Sequence, residues 1–180
     1  MTISTETPIR DVLEEIRNRR TATAGFTTAL SGAAAAALGQ ACVGISDGPT
    51  ERLGQIVLAL EGWADDDANA LLKLLDLRQQ GREPEGWELL QIGPVAMADL
   101  ACEAAELLQA FRPRVIDHVH DDLEFAIVML TAAARSAVLI VESNLRQWRT
   151  PELHAKFGAE VERLTQRLAG LSPVEHLTWR

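Results

Sequence analysis

Apolar positions recur at three- and four-residue intervals almost from end to end of this chain, the period of helices that pack through one face. One stretch departs from that habit. Asp121 to Trp148, DDLEFAIVMLTAAARSAVLIVESNLRQW, is apolar or small on every side, the pattern of a helix enclosed by others. At 1.5 Å per residue it would run about 40 Å. Glu124 and Arg135 interrupt it, and Asp121 and Asp122 crowd its start, so it predicts a soluble core helix rather than a membrane span.

The remaining segments read as helices around it. Thr7 and Pro8 start a first one with Ile9, Val12, Leu13 and Ile16 on a single face, ending near Arg20. A loop then passes, at about Thr28, into a helix of residues so small that another helix can approach closely, within one subunit or across a dimer. Asp47, Gly48 and Pro49 make a turn, and Thr50 is placed to cap a third helix whose inward positions are Leu53, Ile56, Leu60, Trp63, Asp67, Ala70, Leu74 and Leu77. The segment Gln80 to Gly93 reads as a connecting loop with a short turn at Trp87 to Leu90. Pro94 is expected to open a fourth helix with Val95, Ala98, Cys102, Ala105 and Leu108 inward, closed by Arg112 and Pro113. Thr150 and Pro151 open the last, with Leu153, Phe157, Val161, Leu164 and Leu168 on one face, and the tail with Trp179 carries no period. Nothing alternates with a period of two. The expectation is therefore an all-α, up-and-down-like bundle in one domain, 1–180, with a long buried central helix.

Composition narrows the function classes. A net charge of −9 over 180 residues disfavours nucleic acid and anionic membrane as partners. The polar amino-terminal stretch carries no secretory pattern, and Cys42 and Cys102 sit apart in apolar surroundings as reduced core thiols, so a cytoplasmic protein is expected. No cysteine or histidine spacing suggests zinc. Asp117, His118, His120, Asp121 and Asp122 are five metal-capable groups in six positions, yet neighbouring side chains point apart and acids before a helix ordinarily cap it. No metal site is expected.

Two features carry candidate chemistry. Asp67 is the only ionisable residue in the inward register of the third helix, so it needs a partner, a pocket or a raised pKa, whereas Asp65 and Asp66 point elsewhere. On the central helix Glu124, Thr131, Arg135 and Glu142 stand 7, 4 and 7 apart and share one sector. That stripe is either an internal or solvent-facing ion-pair strip or one wall of a site.

Three segments resemble a known family. Asp66-Asp67-Ala68-Asn69-Ala70-Leu71 is similar to its acidic helix motif, Ala29-Leu30-Ser31-Gly32-Ala33 to its small-residue helix, and Ala126 through Arg135-Ser136-Ala137-Val138-Leu139 to Asn144-Leu145 to its central helix. The family is that of formimidoyltetrahydrofolate cyclodeaminase and methenyltetrahydrofolate cyclohydrolase, and the likeness runs from about Ile9 to Leu168. It implies a small-molecule enzyme, a homodimer, opening or closing a C–N bond on a tetrahydrofolate derivative with no further cofactor. Asp67 would then be the general acid/base, helped by His118 or His120 and by Asp122, while Arg135 would hold an anionic group and Glu124, Thr131 and Asn144 would contact substrate. Asp67 and the Arg135 stripe should converge on one cleft. Where the family has Pro-Thr-Pro-Gly-Gly-Gly this chain has Arg20-Thr21-Ala22-Thr23-Ala24-Gly25, which leaves room for a substrate other than folate. The alternative is a non-catalytic helical dimer in which Asp67 and Arg135 pair with each other.

Overall fold

The computed structural model describes residues 4–18, 23–148 and 150–177. Its helices are α1 (Ile9–Asn18), α2 (Ala24–Ile45), α3 (Glu51–Gln79), α4 (Glu83–Phe111), α5 (His120–Gln147) and α6 (Pro151–Ala169), with 3-10 turns at Arg112–Arg114 and Asp117–Val119 between α4 and α5. Each helix from α2 onward packs on the next, and α5 also packs on α2. The expected all-α bundle is present, with α2 and α5 inside it.

Local chemistry accounts for the corners. At the end of α2 the Gly48 N–H donates to Val43 O and the Asp47 N–H to Gly44 O, with Asp47 left-handed at φ 56°. At the end of α3 the Arg82 N–H donates to Leu77 O and the Gly81 N–H to Arg78 O, with Gly81 at φ 74°. Both are the paired bonds that close a helix when one residue turns left-handed, a role that glycine fills at no steric cost and aspartate tolerates. Thr150 caps α6 by accepting from the Leu153 N–H, whereas the Thr50 side chain makes no such bond to α3.

Close packing of α2 is internal to the chain. Ala29, Gly32, Ala33, Ala35, Ala36 and Gly39 are all buried. A methyl group at Gly39 would stand 2.4 Å from Leu108 Cδ1, so α4 can lie this near only because nothing projects there.

Several expectations need correcting. The connection before α4 is only Gln80–Arg82, because Pro84 rather than Pro94 provides the helix start, and α4 runs straight through Pro94. Pro94 has no N–H to give to the Leu90 carbonyl one turn back, and the Asn144 side-chain amide on α5 donates to that oxygen at 3.1 Å instead. Helix α2 begins at Ala24, earlier than its sequence pattern suggested, because an acid from α3 caps it. Of the α1 face, Val12 is buried while Ile9 and Leu13 are exposed, so this short helix leans on the bundle by one edge. The expected end near Arg20, the loop Arg20–Ala22 and Trp179 lie outside the described residues.

Helix α5 is enclosed on one side only. Phe125, Val128, Met129 and Leu139 face outward, each more than two-fifths exposed. By length and hydropathy alone α2 and α5 could each cross a membrane, but half or more of each apolar window is buried in the bundle, as for the core helices of a soluble protein. Both cysteines are buried free thiols, and burial pushes Cys102 up to about 11.

Candidate functional site

Trp63, Asp66, Asp67, Ala70 and Lys73 stand 3, 1, 3 and 3 apart, which brings them to one side of α3. Opposite them α4 presents Leu89, Leu90, Ile92, Gly93, Pro94 and Met97, and the space between the two helices is a cleft of about 210 Å³. Its walls are apolar apart from the two carboxylates and the ammonium of Lys73. The register that turned Asp67 inward therefore leads to a half-buried position facing a cavity.

Asp67 also meets the start of α2. The Phe26 N–H donates to Asp67 Oδ2 at 2.9 Å, which supplies a cap that Thr23, the residue before the helix, does not provide with its own side chain. Gly25 makes this approach feasible. A methyl group there would lie 2.0 Å from Asp67 Oδ1. Gly25, the one glycine in the stretch Arg20 to Gly25, is thus the residue against which Asp67 packs. Burial raises the Asp67 carboxyl above the ordinary carboxylate range, and the Phe26 hydrogen bond opposes that rise. Among the described residues no cation pairs with it.

The remaining candidates do not gather here. Arg135 is exposed on α5, shares neither an ion pair nor the cleft with Asp67, and so the expected convergence of the two is not found. The stripe to which it belonged splits by depth. Glu124 is fully buried and holds the Arg112 guanidinium through two hydrogen bonds, at 2.5 Å and 2.9 Å, while Arg112 also donates to the Ser172 carbonyl. Thr131 is buried and donates to the Ile127 carbonyl within its own helix, and Glu142 is exposed. A sector of helix surface that is narrow in angle thus passes from core to solvent between Glu124 and Glu142.

His118 and Asp122 are exposed near the start of α5. His120 faces acids instead of the cleft, with Asp121 Oδ1 3.4 Å from Nδ1 and Glu124 Oε1 4.0 Å from Nε2. Asn144 divides its role, holding the Leu90 carbonyl and lining a second, wider cavity between α2 and α5 of about 710 Å³. That groove carries hydroxyl and amide side chains, among them Thr27, Ser31, Ser136, Ser143 and Gln147, with no charged group. The amino-terminal turn of α2 lies between the two cavities, giving Thr23 and Ala24 to the groove and Gly25 and Phe26 to Asp67.

Sequence reasoning missed Gly25, Phe26 and Arg112 as partners and Lys73 as a cleft residue, and it turned Asp66 elsewhere although that acid lines the cleft beside Asp67. Only Lys73 left a signal, its seven-residue spacing from Asp66 on the face that already held Asp67.

The chain shares its fold with a folate enzyme. Formiminotetrahydrofolate cyclodeaminase from Thermotoga maritima superposes with a TM-score of 0.83 over 92% of this chain and 91% of that one, at 15% sequence identity. Identity this low speaks for the helical architecture and not for the chemistry. No family model matches the sequence, and no curated protein matches it either.

Proposed function

We propose that the α3–α4 cleft is the reaction centre of an enzyme of cyclodeaminase or cyclohydrolase type, adding water to a C–N centre or expelling an amine from one. The observation that carries this reading is Asp67, a half-buried carboxyl facing a largely apolar cleft, raised by burial above the ordinary carboxylate range, where a carboxyl is suited to exchange a proton with a bound substrate. Such a group protonates a departing nitrogen and recovers the proton from the attacking water. The shared fold supports a tetrahydrofolate one-carbon derivative as substrate, and the rebuilt loop before α2 supports a more compact amidine-like one. Asp67 takes the acid/base role. His118, Asp122 and Arg135 would join it only through a second subunit or a movement of α5, and a cytoplasmic homodimer is part of the proposal.

A second reading has an observation of its own. Phe125, Val128, Met129 and Leu139 form an outward apolar strip on α5, as on a helical dimer that binds without catalysing, and Asp67 would then serve only to cap α2. A mass-balance assay with formimino- and methenyl-tetrahydrofolate, run beside Asp67→Asn, separates the two. Turnover of either compound by the wild type, lost in Asp67→Asn, supports the enzyme. Turnover that survives Asp67→Asn removes Asp67 from the mechanism, and no turnover or thermal shift with either compound removes the folate substrate.

A further inference from the structure

We infer that the α3–α4 cleft takes a compact, planar zwitterion, with a basic nitrogen on Asp67 and an anionic group on Lys73. The inference rests on the reading that this cleft is the ligand site, and it adds the ligand's charge pattern, its size and a residue that selects it.

Charge pattern comes from what the chain leaves uncompensated. Asp67 is desolvated, has one backbone N–H for company and pairs with no described cation, so a ligand that brings a positive nitrogen supplies the missing counter-charge. Lys73 is the reverse case. It is the only cation among the residues lining either cavity, and no hydrogen bond or ion pair holds it among the described residues. Most described arginines are engaged, Arg52 with Glu103, Arg78 with Glu83, Arg82 with Glu85, Arg112 with Glu124, and Arg163 and Arg167 with Asp99. Lys73 is exposed at the mouth of the cleft and free to turn toward a guest. Asp66 stands on the same face two turns before it, so the mouth repels a plain dianion and admits an anionic group only beside the ammonium.

Size and shape come from the walls. At about 210 Å³ the cleft falls below the ~300 Å³ at which sites begin to enclose drug-sized ligands. Trp63, Pro94 and Met97 offer flat or slender apolar surfaces. That geometry suits a ring stacked along the tryptophan. Lys73 lies six positions after Asp67, a rise of about 9 Å along the helix that a bent lysine shortens, which matches charges at opposite ends of one ring.

The test uses 4-amidinobenzoate, which carries an amidinium and a carboxylate at opposite ends of a ring, with benzamidine as the same molecule lacking the anion. Binding is followed by calorimetry on the wild type, Asp67→Asn, Lys73→Gln and Lys73→Arg. In the wild type 4-amidinobenzoate should bind about fivefold tighter than benzamidine, the size of a partly exposed ion pair. Lys73→Gln should erase that ratio with benzamidine unchanged, Lys73→Arg should restore it, and Asp67→Asn should weaken both compounds by about tenfold. A ratio near one in the wild type, or one that persists in Lys73→Gln, overturns the assignment of Lys73 while the Asp67 cleft stands. Benzamidine that fails to bind, or that binds Asp67→Asn equally well, overturns the cleft as a ligand site and this inference with it.

Discussion

Two carboxylates on long helices, one buried and one half-buried, have been treated in opposite ways. Glu124, at the start of α5, is fully enclosed and is met by a guanidinium from the end of α4, which is itself held by the Ser172 carbonyl. Asp67, midway along α3, is less deeply buried yet is met by one backbone N–H and an apolar cleft. Burial depth alone would have marked Glu124 as the more unusual group. The partner decides instead: an acid whose charge is matched inside the chain is part of the scaffold, and an acid whose charge is left unmatched beside open space is available to something else.

The sharpest way to break the comparison is to remove the partner at the scaffold end. Arg112→Met leaves Glu124 enclosed without a counter-charge and should lower stability by about 3–5 kcal/mol in denaturant unfolding. A loss below ~1 kcal/mol would mean that Glu124 is neutral or hydrated and that the two acids are alike. At the other end, Gly25→Ala forces a methyl group onto Asp67 and should cost about 1–3 kcal/mol together with the Phe26 bond, displacing the carboxylate from the cleft. Loss of ligand binding that outlasts rescue of stability by a bound partner or lower temperature would tie the two effects together, and unimpaired binding would separate them. Glu124→Gln should cost less than Arg112→Met, about 1–2 kcal/mol, because the orphaned guanidinium is 28% exposed and can reach water.

The smallest effect is a pH slope. Because the folded Asp67 carboxyl is raised above its unfolded value by burial, the native state holds its proton where the unfolded chain has released it. Its contribution to stability is therefore greatest below the unfolded pKa and declines as pH rises toward the folded one. Asp67→Asn has no such proton, so its stability relative to wild type should climb over that same interval, measured by urea midpoints from acid to neutral pH. A flat difference would show that burial does not perturb this carboxyl.

How much of this could be read from residues alone depended on distance along the chain. The apolar face of α6, the inward register of α3 and the turn at Asp47–Gly48 are local patterns, and all three appear in the structure. Pro94 misled because a proline inside a helix has the same one-letter signature as a proline that starts one. The difference is made by Asn144, 50 residues later, which accepts the duty of the missing N–H. Asp67 stood out because its register was local, but its partners Gly25 and Phe26 lie about 40 residues upstream and left no trace near it. The charged stripe on α5 failed for the complementary reason. Periodicity gives the angle around one helix and says nothing about where its neighbours cross, so Glu124 and Arg135 shared a direction without sharing an environment.

The Asn144 bond to Leu90 ties one wall of the cleft to α5, and a short way along that same seam Trp87 of α4 and Trp148 at the end of α5 stack with centroids 5.3 Å apart. Two indoles in face contact exchange excitation and quench each other according to their separation. The molecule therefore contains its own optical gauge of the α4–α5 seam, and any displacement of one helix against the other registers in its emission without any added label.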